Sequence, residues 1–218
     1  MKTDALIAML ARGNAGVAPH AVERRLLPTV AAGAALALVA VLAALGPRAD
    51  LAAAAQLTMF WWKLVIPLGF AMLAFGVARR LASPGRSAGP AASLGVALLA
   101  LLWIVAAADV GSTPAASRHA LVFGHSAPPC VALIAMLSLP VLVALFAVLR
   151  TLAPTRLAAT GAAAGAAAGA LAGAIAAAAY AVHCNEMTLP FVAIWYVIGM
   201  AIPAVLGALL APRWLRWS

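Results

Sequence analysis

The stretch LAATGAAAGAAAGALAGAIAAAAYAV, residues 157–182, is built almost wholly from alanine and glycine. Four of its glycines recur at intervals of four residues and so share one face of a helix: Gly161, Gly165, Gly169 and Gly173. Where lipid gives apolar side chains little reason to cluster, such a glycine face lets a second helix backbone approach closely. The stretch therefore predicts the central, tightly packed helix of a membrane bundle.

The composition around this stretch is that of a membrane protein. The chain is 67% hydrophobic and only 9% charged, with a mean hydropathy of +1.09, more apolar surface than a soluble core hides. A helix needs roughly 20 apolar residues to cross about 30 Å of hydrocarbon. The sequence predicts an all-α, polytopic bundle of six transmembrane helices over residues 28–46, 59–78, 91–109, 128–149, 157–182 and 190–211.

The distribution of basic residues predicts the orientation of the bundle. With the N-terminus inside, the inner side holds eleven lysines and arginines, while the outer side holds only Arg48, Lys63 and Arg118. Short basic loops stay in the cytoplasm, so both termini, including the tail 212–218, are expected there. The net charge of +9 is explained by this topology, because the basic residues form no patch suited to nucleic acid. The lipid bilayer is the expected environment, with no direct nucleic-acid partner.

Residues 1–27 form the one sizeable segment outside the predicted spans. Asp4 can cap a short helix whose apolar side chains fall on one broad face, and these are Leu6, Ile7, Met9 and Leu10. So short a helix needs a surface to pack against. Residues 4–11 contain no basic residue, whereas helices that lie on lipid favour Lys and Arg. The segment is therefore predicted to bind a cytoplasmic protein partner.

The chain has two cysteines, and the topology places both at its outer face. Cys130 begins the fourth span and Cys184 follows the fifth. A disulfide would require Cα atoms within about 7 Å, in a compartment that permits oxidation. Soft metals such as zinc, cadmium or copper(I) are the second candidate, with His125, His183 and Glu186 as further ligands. The plain alternative is two small apolar residues at helix ends. No resident cofactor is required.

Two other classes of membrane protein fit the sequence less well. A small-solute or metal transporter needs ionisable groups inside its spans, and here only Lys63 and Asp109 lie within spans, near the outer ends. Lys63 follows Phe60-Trp61-Trp62 and is interpreted with these rings as an anchor at the membrane interface. A membrane thiol oxidoreductase needs a Cys-x-x-Cys motif and a second relay pair. The chain has neither, and no enzymatic site is predicted.

Three stretches carry a resemblance to a known family. They are MKTDALI at residues 1–7, FWWK at 60–63 and CNEMTLPFVAIWY at 184–196. On these stretches the chain resembles the NrsF family of six-span anti-sigma factors over essentially its whole length.

The resemblance implies a protein of the bacterial inner membrane that regulates transcription in a stress response. Such a protein sequesters a cognate extracytoplasmic-function sigma factor on its cytoplasmic side. In that family a pair of periplasmic cysteines is associated with relief of inhibition under heavy-metal or oxidant stress. Cys130 and Cys184 occupy the matching places.

Overall fold

The computed structural model describes residues 20–83, 87–152 and 158–214, with the side chains of 158–160 left out. Within these ranges the chain is helical and has no β-strand. Six of the helices are long and apolar enough to cross a membrane, which confirms the predicted fold class. In chain order the helices are α1 Ala21–Ala44, α2 Leu51–Ala54, α3 Thr58–Leu81, α4 Pro90–Ser112, α5 Ala115–Phe123, α6 Ala127–Leu152, α7 Ala158–Tyr180 and α8 Leu189–Trp214.

The bundle has two ends, which differ in what they hold. The cysteine end is formed by the connections α1–α3, α4–α6 and α7–α8, and it includes the short helices α2 and α5. The opposite end holds the start of α1, the connection between α3 and α4, and the end of α8. Cys130 and Cys184 both lie at the cysteine end, and the start of α1 lies at the opposite end.

The first long helix begins at Ala21, whereas the sequence predicted a start at residue 28. Residues 21–27 continue the helix because they pack on the bundle: Leu26 is fully buried, and its neighbours bond to other helices as described below. The predicted N-terminal segment 1–27 is therefore shortened at its C-terminal side. Its candidate partner-binding residues lie outside the described residues; these are Asp4, Leu6, Ile7, Met9 and Leu10.

Helix α7 occupies the centre of the bundle. In its most apolar stretch 78% of the residues are buried, against at most 39% in any other span. Its glycines face the backbone of α8: Gly165 lies against Gly207, and Gly169 lies against Pro203. A Cβ on Gly173 would sit 2.8 Å from Cγ of Pro203. Because the contacts of Gly165 and Gly169 are with backbone atoms, α7 and α8 approach each other closely there.

The first turns of α8 depart from regular α-helix. Val192–Tyr196 form a π-helical turn, a feature that is frequent at functional sites. Two indoles hold this region: Trp103 Nε1 donates to the carbonyl of Ala193 at 2.9 Å, and Trp195 Nε1 donates to that of Val122 at 2.8 Å. The turn buries Tyr196 completely, beside the loop that carries Cys184.

Gly169→Ala should destabilise the bundle, because the added Cβ would meet the carbonyl of Pro203. Overpacking of this kind costs about 1–3 kcal/mol, and steric-trapping measurements in bicelles would report it. Gly95→Ala in α4 is the matched control, since its Cβ would meet only Leu73 Cδ1 at 4.0 Å. Equal stability of the two variants would contradict the close α7–α8 contact.

Candidate functional site: a buried thiol pair at one end of the bundle

The two cysteines come together between α6 and the loop that follows α7. Cys130 lies in the first turn of α6 and is 0% exposed, while Cys184 lies in the loop 181–188 and is 3% exposed. Both thiols are free. They are close enough to influence each other's ionisation. The arrangement is a pair of free thiols enclosed by protein.

A buried lysine holds the Cys184 loop. Lys63 Nζ donates to the carbonyl of Cys184 at 2.6 Å and to that of Glu186 at 2.8 Å. It also lies 5.6 Å from the ring centroid of Tyr196. The lysine is 0% exposed, and no carboxylate in the described part of the chain lies within ion-pair distance of it. The positive charge of the ammonium is thus stabilised by the dipoles of these two carbonyls and by the groups around Cys184.

Arg48 ties the loop after α1 to the same site. Its guanidinium donates two hydrogen bonds to the carboxylate of Asp50, at 2.6 Å and 2.8 Å. Its Nη1 also donates to the carbonyl of Cys184 at 3.4 Å. The hydrogen bond from Arg48 lowers the pKa of Asp50, which keeps that carboxylate ionised. Beside it, His183 Nδ1 donates to the carbonyl of Gly46 at 2.9 Å. These bonds therefore join the loop after α1 to the loop that carries Cys184.

Glu186 joins the Cys184 loop to the start of α6. Its carboxylate accepts the backbone N–H of His125 at 2.7 Å and the hydroxyl of Ser126 at 3.2 Å. A carboxylate at this position satisfies free N–H groups and opposes the positive end of the helix dipole. It lies against Gly124, whose φ of +53° and lack of a side chain leave room for it. Since α6 carries Cys130, this cap fixes one thiol relative to the other.

A polar cavity of about 310 Å³ opens beside the pair. Cys184 contributes to its wall and Cys130 does not. The volume would hold roughly ten waters at about 30 Å³ each, so a small polar reagent fits. The lining residues are His125, Ser126, Tyr180, His183, Cys184, Asn185 and Glu186.

The candidate metal ligands lie around this cavity without forming a metal site. In residues 20–83, 87–152 and 158–214 no group of three or more His, Cys, Asp or Glu side chains is placed to hold a metal ion. The imidazole of His183 and the carboxylate of Glu186 are engaged in the bonds above, and His125 binds Glu186 through its backbone. These groups thus hold the loops around the cavity.

The sequence interpretation missed three residues of this site. The sequence analysis interprets Lys63 as an interfacial anchor, uses Arg48 only for its charge and gives Tyr196 no role at the site. The sequence does contain a signal for Lys63, because an ionisable residue inside a predicted span indicates a functional site by default.

The surroundings of Cys184 favour its thiolate. The hydrogen bond from Cys130 is the largest cause that lowers the pKa of the Cys184 thiol, followed by the charge of Lys63 and a contribution from the Tyr196 hydroxyl. Burial acts in the opposite direction, yet these donors outweigh it. A thiol of lowered pKa is the nucleophilic form of cysteine.

The fold and site define a class: a helical, multi-spanning membrane protein with a buried thiol pair at one end. The family described as negative regulator of sigma F, NrsF, matches residues 10–217, and the chain belongs to this family. A probable anti-sigma-F factor NrsF of Azospira oryzae is 43% identical, and the anti-sigma-F factor NrsF of Caulobacter vibrioides is 33% identical, each over the full length of both chains. No solved structure matches.

The family membership confirms the resemblance seen in the three sequence stretches. NrsF is a family of regulators, so the chain is a regulatory protein rather than an enzyme. The membrane thiol oxidoreductase alternative is therefore wrong, and the transporter alternative loses its basis.

A comparison of Cys130→Ala with Cys130→Ser tests whether a hydrogen bond from residue 130 lowers the pKa of the Cys184 thiol. Both leave Cys184 as the sole thiol, but only serine keeps a hydroxyl that can donate to the sulfur. Losing a bond to a charged acceptor should raise the midpoint of the pH–rate profile by about one unit in the alanine variant. The rate of methanethiosulfonate labelling, measured from pH 5 to 10 in detergent, gives both midpoints. Identical midpoints would refute the donor role of Cys130.

Proposed function

We propose that this chain is a membrane anti-sigma factor that holds an extracytoplasmic-function sigma factor at the cytoplasmic face of the bacterial inner membrane. It releases this partner when Cys130 and Cys184, facing the periplasm, react with an oxidant or a heavy metal. The family and the printed names of both relatives support the anti-sigma function. The observation that carries the sensing step is the buried, reactive thiol pair beside a polar cavity.

The charges at the two ends support this orientation. The sequence places only three basic residues on the cysteine side, and two of them, Arg48 and Lys63, are buried in bonds to the Cys184 loop. The opposite end carries the paired arginines Arg24-Arg25 and Arg79-Arg80. Basic residues at span ends favour the cytoplasmic side.

Two helices, α3 and α6, run from the thiol site to the first turns of α1. Helix α6 carries Cys130 at its start and Thr151 near its end, and helix α3 carries Lys63 near its start and Arg79 near its end. At the opposite end of the bundle both helices hold the first turns of α1. Arg79 Nη1 lies 2.9 Å from Glu23 Oε1, and Arg25 Nη1 donates to Thr151 at 3.2 Å.

This arrangement gives the signal a physical path. A reaction that draws the thiols together displaces α6 or releases Lys63 of α3, and both movements reach the turns of α1 from which the N-terminal segment extends. Close packing along the way transmits the shift, since a Cβ on Gly33 of α1 would lie 2.9 Å from Val141 of α6. Moving a regulator from 1:99 to 99:1 takes about 5.5 kcal/mol. A disulfide, at about 2–4 kcal/mol, supplies much of this.

Cys130→Ser combined with Cys184→Ser should leave repression intact and abolish induction. Serine keeps the size of the side chain and removes the redox and metal chemistry of sulfur. A reporter driven by the partner sigma factor, followed after addition of peroxide or cadmium, measures both properties. Induction in the wild type is expected with at least one of the two stresses.

Ser138→Ala is the matched control for this variant. Ser138 is a buried residue of α6 whose hydroxyl bonds within its own helix, to the carbonyl of Ala135. It should respond like the wild type. A double cysteine variant that is still induced normally would place the sensor elsewhere.

Leu10→Asp should weaken capture of the sigma factor, because it puts a charge on the apolar face of the N-terminal helix. Ala8→Asp is the control, since residue 8 falls on the opposite side of the same helix. Truncating a central interface residue typically costs more than 1 kcal/mol, so we expect at least about a fivefold loss of affinity from Leu10→Asp. Co-purification of the full-length protein with its sigma factor measures it. Equal capture by both variants would exclude this face as the docking surface.

A further inference from the structure

The two thiols differ in access and in surroundings. Cys184 borders the polar cavity, whereas Cys130 lies behind it and is 0% exposed. A reagent that enters from the cysteine end therefore meets Cys184 first. Cys130 can react only with what is already at Cys184.

Three groups that can donate a hydrogen bond lie around the sulfur of Cys184. The Cys130 thiol is the first. Lys63 is the second, since its ammonium has three N–H groups and only two are used by the carbonyls of Cys184 and Glu186. Tyr196 is the third: its hydroxyl is fully buried beside Cys184 and has no hydrogen-bond partner among the described residues. An orphaned buried hydroxyl is costly, and an anionic sulfur would satisfy it.

The charge balance around Lys63 also favours a thiolate at Cys184. A buried ammonium without a counter-charge is unfavourable, and the described residues offer Lys63 no carboxylate. A thiolate at Cys184 supplies the missing negative charge.

We propose that Cys184 is the attacking thiol and Cys130 the resolving thiol in a reaction with a hydroperoxide, and that Lys63 and Tyr196 stabilise the attacking sulfur. In the first step the Cys184 thiolate attacks the peroxide oxygen and the O–O bond breaks. This forms a sulfenic acid at Cys184 and releases hydroxide or alkoxide, which takes up a proton. In the second step the Cys130 thiol attacks the Cys184 sulfur, a disulfide forms and water leaves, so one peroxide is reduced for each dithiol oxidised.

This assignment rests on the proposed function for its physiological meaning, but its chemistry is testable without a sigma factor. Full-length protein in nanodiscs is treated with hydrogen peroxide and a dimedone trap, and the modified cysteine is identified by peptide mass spectrometry. Cys130→Ala should accumulate trapped sulfenic acid at Cys184. Cys184→Ala should react at Cys130 at least about tenfold more slowly, since its thiol lacks both the donors and the access.

Variants of the two stabilising residues, made in the Cys130→Ala background, test the rest. Lys63→Met and Tyr196→Phe should each slow sulfenic acid formation, by about tenfold for each unit by which the Cys184 pKa rises. Lys63→Arg should retain most of the rate because it keeps a cation. Tyr180→Phe is the control for Tyr196→Phe, because Tyr180 also borders the cavity and its ring centroid lies 6.2 Å from that of Tyr196.

The direction of the change separates this role from a merely structural one. If Lys63 and Tyr196 only held the fold, their loss would loosen the site, expose Cys184 and speed its modification. Slower modification supports the proposal, and faster or unchanged modification overturns the stabilising roles. Equal trapping at Cys130 and Cys184 in the single-cysteine variants overturns the assignment of attacker and resolver. Either result leaves repression by the chain intact, so it is distinct from a failure of the proposed function.

Discussion

The ammonium of Lys63 is the contact on which the cysteine end depends. It enters from an apolar helix and binds two carbonyls of the Cys184 loop at 2.6 Å and 2.8 Å. A buried cation is costly in a membrane unless polar groups stabilise it. The attraction between the Lys63 ammonium and these two carbonyls therefore fixes the loop. Because the loop is fixed, Glu186 meets the start of α6 and the two thiols face each other. The position of the Cys184 loop and its packing on α6 thus both depend on the Lys63 ammonium.

The interior of the bundle supplies the rigidity that such a contact needs. Helices α7 and α8 meet through glycine and proline backbones, with Gly207 reciprocally against Gly165. Alanine and glycine have almost no rotamers to lose, so this contact is formed at little cost in side-chain entropy. The outer helices α1, α3 and α6 then pack on a centre that has few alternative arrangements. A local change at the thiols is therefore passed along helices rather than absorbed by side chains.

The fold could be predicted from the sequence because apolar length alone decides what crosses a bilayer, and all six spans follow from it. The start of α1 could not, since the burial of Leu26 is a tertiary effect. The site could be predicted only in part: topology puts Cys130 and Cys184 at one end, whereas Lys63, although an ionisable residue inside a span, stands beside aromatic residues that indicate an interfacial anchor. Its neighbours Trp61 and Trp62 are 54% and 53% exposed, so the surrounding sequence resembles an interfacial belt while one residue of it is buried.

The carboxylate cap on α6 has a consequence for how the molecule is made. Residues 125 and 126 leave the ribosome well before Glu186, with all of α6 and α7 between them. The backbone N–H of His125 and the hydroxyl of Ser126, just before α6, therefore lack their Glu186 partner until the hairpin behind them has been made. Maturation of the dithiol is in this way linked to the late stage of biogenesis, so a truncated or stalled chain cannot present a finished site.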